Sequence, residues 1–256
     1  MDDRQNITDI NSYRKRRRRA GSFHWLLIFV FLLGCSFAGY LFAISNFFSV
    51  AAVNIHNNSQ VDDSRLIELS GIKRGDSVFA VNLKQVEQWM HIEPRIKSAV
   101  AKRGLPDEIN ITVEERLPVA AVHLGRSVVE IDIEGRVLTR YTVVTELNLP
   151  LLSGVEYPEG GMMPGGFLEG ENLRVALQII SALPDDAQDI GEIDVQNPQN
   201  IRLYTVPGIE IRLGDSSDFP EKYVVYSNII LDNVTQGGKP IRYIDVSTSK
   251  PAISTY

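Results

Sequence analysis

The sequence predicts an α+β protein in which one membrane-spanning helix precedes two small domains. Three observations carry that prediction. A run of 42 residues without a formal charge lies between Arg19 and Asp62. Residues 50–115 then read strand, helix, helix, strand, strand. The remainder consists of short alternating runs separated by Gly and Pro pairs and interrupted by two helical patterns, as expected of a mostly antiparallel sheet with two helices.

With 256 residues, 44% of them hydrophobic, the chain can hold two domains with cores of their own. The net charge of -6 is unevenly spread. Residues 1–22 carry seven Lys/Arg against three Asp/Glu, leaving nineteen against twenty-nine in the rest, so a +4 head precedes a -10 body. An acidic body with no basic face interleaved with aromatics argues against nucleic-acid binding. The single cysteine, Cys35, lies inside the apolar run, so the rest of the chain has no thiol for a disulfide, redox or metal site.

Arg14, Lys15, Arg16, Arg17, Arg18 and Arg19 form a basic cluster directly before the apolar stretch Phe23 to Ile44. Those 22 residues make a helix of about 33 Å, enough for a hydrocarbon core of about 30 Å. Trp25 stands near one end and Tyr40, Phe42, Phe47 and Phe48 near the other, where ring side chains favour the interfaces. Basic residues stay on the cytoplasmic side, so the cluster places the N-terminus inside, with anionic lipid head groups as its contacts, and Val50 to Tyr256 outside. A cleaved signal peptide is the rival, but its apolar core is shorter and "SNFFSV" is a poor cleavage site.

Beyond the membrane, "SVAAVNIHNN" alternates as a strand, "VDDSRLIELSG" is a short helix capped by Asp62, and "NLKQVEQWM" is a second with Leu83, Val86 and Met90 on one face. Two strands follow, joined through Gly104 to Asp107; in the second, Ile109, Ile111 and Val113 face inward. "SVVEIDIEGRVLTR" is a hairpin turning at Glu134-Gly135, and "LPLLSG" is a short strand. The helix "ENLRVALQIISAL" directs Leu173, Leu177, Ile180 and Leu183 inward, and three strands follow to Gly214. A last helix from about Pro220 to Val234, capped by Asp218, turns Tyr223, Tyr226, Ile230 and Val234 inward before one final strand-like segment.

No catalytic, cofactor or metal motif accompanies these elements. The four histidines are isolated from other ligand types, the glycine-bearing loops have neither a phosphate loop's lysine nor a dinucleotide site's strand-to-helix setting, and no nucleophile motif is present. Glu114 and Glu115 are adjacent on a strand and point to opposite faces. An enzyme, a cofactor and a small-molecule substrate are therefore not expected.

The order of elements, together with "VAAVNIHNN", "SGIKRGDSVFAVNL" and "EPRIKSAVAKRGLPDEINITVEERLPVAAV", closely resembles the FtsQ/DivIB family of bitopic bacterial division proteins. The ungapped run Pro94, Ile96, Ala99, Arg103, Pro106, Ile109, Val113, Glu115, Arg116, Pro118 is its most specific part, and "IDIEGRVL", "LPLLSG", "GIEIRLG" and "YIDVS" extend the match. The resemblance implies a cytoplasmic tail at 1–22, a membrane helix at 23–47, a POTRA domain at 48–116 and the family's β domain at 117–256. It implies a non-catalytic scaffold at the septum, in the cell membrane, binding FtsB/DivIC-like and FtsL-like proteins, with other divisome proteins meeting the POTRA domain.

In the family the partner adds a strand to a sheet edge near the C-terminus, which corresponds here to Tyr243, Asp245, Val246, Ser247, Thr248, Ser249 and Ala252. A terminal strand has one side free for such pairing. Ser247 and Thr248 stand where the family often has Arg and an aromatic residue, and "VQNPQN" lacks the cations that some members carry there. A POTRA-type accessory protein of envelope secretion or assembly is the alternative, although the second domain is too short and too helical for an outer-membrane barrel.

Overall fold

A computed structural model describes residues 10–43, 45–142, 148–158, 162–184, 187 and 190–256, with backbone alone at 10–23 and 43. Five α-helices and twelve strands are described, the strands forming a three-stranded sheet in the order β1-β3-β2 and a nine-stranded sheet in the order β12-β11-β10-β9-β8-β7-β4-β5-β6. The chain separates into two compact units, Met1–Asn54 with Gly71–Leu83 and Ala101–Ile111, and Ile55–Ser70 with Lys84–Val100 and Thr112–Tyr256. The division therefore runs through the three-stranded sheet.

In the first unit, helix α1 spans Ile10–Ala43, and its stretch His24–Phe42 is long and apolar enough to cross a membrane. All described side chains of that stretch are exposed, as expected of a helix whose solvent is lipid. A single 3-10 turn, Asn46–Phe48, leads into β1 (Ala52–His56). Residues 48–50 exchange backbone hydrogen bonds with 75–78, and Ala51 N–H donates to Asp107 O at 2.8 Å. Ile109 and Ile111 of β3 are fully buried, as their alternation predicts.

The second unit contains α2 (Asp63–Ser70), α3 (Leu83–Met90) from residue 84 onward, and segments of β2 (Ile96–Gly104) and β3 (Glu108–Glu115). It also holds the whole nine-stranded sheet: β4 (Ala120–Leu124), β5 (Ser127–Ile131), β6 (Val137–Tyr141), β7 (Leu151–Ser153), β8 (Ile190–Asp194), β9 (Ile201–Thr205), β10 (Glu210–Gly214), β11 (Ile241–Asp245) and β12 (Ala252–Thr255). Alternate residues such as Ala120, Val122, Leu124, Ile201, Leu203, Ile211 and Leu213 form one core with α4 (Glu171–Ser181) and α5 (Phe219–Thr235). The β4–β7, β7–β8 and β10–β11 pairings are parallel and the other five antiparallel, so the sheet is mixed and mostly antiparallel.

Three sequence expectations shift. The buried face of α4 is Leu173, Val175, Ala176 and Ile179, with Leu177, Ile180 and Leu183 only partly buried; the sheet receives the stripe rotated by about one residue. In α5 Phe219 and Tyr226 are buried and Tyr223 and Ile230 pack half-buried against the core, but Val234 is 71% exposed, because the covered stripe runs through Ile229, Ile230 and Asn233 and leaves Val234 on the outer flank. Asp218 makes no side-chain cap bond and sits at φ 50°, so it enters α5 through a left-handed residue, while Pro220 stands in the first turn as expected.

Candidate functional site

The C-terminal segment is two strands rather than one. β11 lies parallel to β10, with Glu210 opposite Tyr243 and Arg212 opposite Asp245, and antiparallel to β12, with Asp245 opposite Ala252 and Tyr243 opposite Ser254. Both sides of β11 are thus occupied, and the sheet ends at β12. Tyr243 and Asp245 lie on the inner strand, Val246 is buried, Ser247, Thr248 and Ser249 lie in the connection, and Ala252 opens the margin strand. What separates them is the turn at Asp245–Ser247, which the sequence pattern did not reveal.

That turn is built by Asp245, whose Oδ1 accepts from Ser247 N–H at 3.0 Å and Ser247 Oγ at 2.6 Å. The Ser247 hydroxyl, more than its N–H or Arg212, holds the carboxylate below its ordinary pKa, so the turn is ionised at neutral pH. Asp215 makes the same motif with Ser217, at 3.1 Å from the N–H and 2.5 Å from the hydroxyl, and also receives Lys222 Nζ at 3.1 Å. Gly214, at φ +74°, lets the two turns meet: a β-carbon there would sit 3.0 Å from Ser247 Cβ. Between them opens a groove of about 570 Å³ lined by Val246, Ser247, Thr248 and Ser249 together with Lys222 and Val225. Four of the seven expected partner residues therefore share one hollow.

The Tyr243 side chain is engaged within the sheet. Arg212 stacks on its ring, with Cζ 4.0 Å from the centroid, and Arg212 Nε pairs with Glu210 Oε1 at 2.9 Å. The Glu210 carboxylate raises the Arg212 pKa further, so the cation is permanent.

β12 presents a short open margin. Tyr256 N–H donates back to Pro240 O at 3.1 Å, so by the two-residue alternation of a strand the N–H groups of Ser254 and Ala252 also face β11, and those of Ile253 and Thr255 face outward. Ile253 is 52% exposed and borders a hollow of about 240 Å³ with Ile229, Asp232, Gln236 and Ile241. The opposite margin, β6, is partly covered, since Val137 exchanges two hydrogen bonds of 2.8 Å with Gly166 and Gly165. The free main-chain groups of β12 fit an added strand.

The basic cluster Arg14, Lys15, Arg16, Arg17, Arg18 and Arg19 falls in the first turns of α1, and its side chains lie outside the described residues. Sequence reasoning passed over the polar contacts of Arg95, Arg116 and Glu130. Arg116 Nη1 reaches Asp132 Oδ2 at 2.5 Å and Glu134 Oε2 at 2.7 Å. The available signal was Glu130, a lone charge inside the apolar strand "SVVEI".

Comparison with known proteins agrees with this architecture. Residues 48–116 match the FtsQ-type POTRA domain, and residues 120–247 match the C-terminal domain of cell division protein FtsQ/DivIB. Cell division protein FtsQ of Syntrophotalea carbinolica is 28% identical over 222 residues, covering 85% of this chain and 77% of that protein. Cell division protein DivIB of Clostridium tetani is 26% identical over 204 residues, covering 78% and 77%. The solved extracytoplasmic domain of DivIB from Geobacillus stearothermophilus aligns with 45% of this chain and 92% of that one, at 18% identity and a TM-score of 0.33. With the C-terminal model alone spanning half of the residues and the POTRA model most of the remaining extramembrane part, the chain belongs to the FtsQ/DivIB family of cell division proteins.

Proposed function

We propose that this chain is a non-catalytic scaffold of the division septum that receives an extended segment of an FtsB/DivIC-like partner, accompanied by an FtsL-like protein, as an added strand on β12. Residues 1–22 are its cytoplasmic tail, 23–47 its membrane helix, 48–116 its POTRA domain and 117–256 its β domain. The basic cluster holds the tail inside, so the sheet margin lies outside the cell membrane. The observation that carries this reading is the open side of β12 at the end of a nine-stranded sheet, while β11 is paired on both sides.

The site residues then divide the work. Tyr243, Asp245 and Val246 hold β11 and its turn in place, Ser247, Thr248 and Ser249 line the adjoining groove, and Ala252 begins the strand that pairs. Main-chain pairing supplies affinity that tolerates the unusual Ser247 and Thr248.

The test is co-purification of FtsB/DivIC-like and FtsL-like proteins with the full chain from native membranes. Thr255→Pro, which removes an outward N–H without touching the β11 ladder, is expected to lower partner recovery about fivefold to tenfold while circular dichroism stays unchanged. Undiminished recovery would sink strand addition. Depletion in the source cell is expected to give filaments with intact nucleoids.

A further inference from the structure

We propose that the loop Asp76–Val81 seats the Phe79 ring in the outer interfacial layer of the phospholipid bilayer that α1 crosses, making lipid a direct ligand of the folded part of the chain. The inference rests on reading α1 as a membrane span and adds a second contact with the same bilayer.

The loop is fastened to the chain just beyond the span. Gly75 N–H donates to Val50 O at 3.0 Å, Val50 N–H to Asp76 O at 2.7 Å, and Val78 N–H to Phe48 O at 2.9 Å, around a bridge between Ser49 and Ser77. Arg103 clamps the loop from the other side: Nε donates to Val78 O at 2.8 Å, and Nη2 to Val81 O at 2.9 Å and Phe79 O at 3.5 Å. Val78 is fully buried, which anchors the loop from within and leaves its neighbour Phe79 turned out. These bonds hold the backbone that carries the ring.

The rings connect the loop to the end of the span. Phe79 lies 5.0 Å from Phe48, Phe48 lies 5.2 Å from Phe42, and Phe47 lies 5.6 Å from Phe42 and 5.0 Å from Phe48. Phe42 ends the apolar stretch His24–Phe42, and Phe79 stands two ring contacts from it. Phe42, Phe47 and Phe79 remain 58, 57 and 48% exposed, so about half of each ring in this cluster is left uncovered beside the end of the apolar helix. Continuity with the span identifies the occupant as lipid.

The test uses the full chain carrying Cys35→Ser, spin-labelled through Phe79→Cys, in vesicles of phosphatidylethanolamine and phosphatidylglycerol with no other protein. Phe31→Cys, in the middle of the span, and Gln199→Cys, on the solvent-exposed surface, are the references. The label at 79 is expected to collide less with a water-soluble nickel chelate and more with oxygen than the label at 199, and to lie shallower than the label at 31. A label at 79 as accessible to nickel as that at 199, with 31 buried, overturns the lipid contact alone. A nickel-accessible 31 overturns the span and this proposal with it. Arg103→Ala, a change of a positioning residue, is expected to return the label at 79 to the aqueous value; an unchanged depth overturns the clamp.

Discussion

Arg95 Nη2 lies 2.6 Å from Glu130 Oε2, with the two side chains only 16 and 10% exposed. The same nitrogen donates to Thr139 Oγ1 at 2.7 Å, and Tyr141 OH donates to Glu130 Oε1 at 3.0 Å. Burial first, and then this bond to Glu130, push the Tyr141 pKa up, so its proton stays in the network. Arg95 belongs to the POTRA match and Glu130 to the C-terminal match, yet both lie in one compact unit.

Removing one partner of that pair strands the other. Arg95→Ala is expected to cost about 3 kcal/mol, because a buried carboxylate loses its counter-charge, and to lower the melting temperature by about 6 to 12 °C. Arg95→Met combined with Glu130→Leu should recover most of that loss, since neither charge then remains buried. Thermal unfolding of Arg95→Met, Glu130→Leu and the double supplies the cycle, and additive losses would refute the pairing.

Glu115 supplies the pH dependence. Its carboxylate accepts from the N–H groups of Ser59 at 3.0 Å, Gln60 at 2.9 Å and Val61 at 3.0 Å, and from the Ser59 hydroxyl at 2.9 Å. Burial is the largest single effect and raises its pKa, but the N–H donors of Gln60, Val61 and Ser59 together outweigh it and hold the group below 4.5. A folded pKa below the unfolded one gives stability that is present above the unfolded value and lost as pH falls through the folded one. Glu115→Gln is expected to cost about 1 kcal/mol at neutral pH. Urea unfolding of both proteins should show this gap closing below pH 4.5, and a pH-independent gap would disprove the charged role.

Local pattern carried most of the architecture, and tertiary choice decided the rest. The alternation of Ile109, Ile111 and Val113 and the turn at Gly135 are dictated by the backbone, and each stands where the sequence puts it. The rotation of α4 and the exposure of Val234 depend on which flank of each helix the sheet receives, a choice that a helical period narrows but does not make. At the candidate site, "YIDVSTSKPAIST" reads as one extended run because Val246 and Ile253 keep its apolar character on both sides of the turn. The reversal is built by Ser247, through its bonds to Asp245, and by Thr248, whose hydroxyl donates to Lys250 O at 3.1 Å, with Pro251 behind them; in sequence the same residues read equally well as blockers of an edge strand. The Arg95–Glu130 pair joins residues 35 apart, beyond the reach of any local pattern.

Gly214 should be intolerant of a side chain. At φ +74° with Ser247 Cβ 3.0 Å from a β-carbon position, Gly214→Ala pays backbone strain and also displaces the turn. Gly237, at φ +62° with nothing within 4 Å, pays strain alone. Gly237→Ala is therefore expected to cost about 1 kcal/mol and Gly214→Ala about 1 kcal/mol more. Chemical unfolding of both variants checks the difference, and equal losses would show that Ser247 gives way freely.

The last prediction separates main-chain from side-chain recognition at β12. Outward N–H groups belong to Ile253 and Thr255, while those of Ser254 and Ala252 face β11, as fixed by the Tyr256 N–H bond to Pro240 O. Ile253→Pro is then expected to weaken the FtsB/DivIC-like partner about fivefold to tenfold by deleting one pairing bond, with the fold retained. Ser254→Pro removes a donor to β11 instead and should lower thermal stability by about 1 to 3 kcal/mol before it alters recognition. Alanine at Ser247, Thr248 and Ser249 together would leave affinity nearly unchanged if the backbone carries the contact. Titration of the purified partner onto each variant reads all three. If the triple alanine loses as much binding as Ile253→Pro, recognition belongs to the groove side chains, and strand addition on β12 fails as the principal contact.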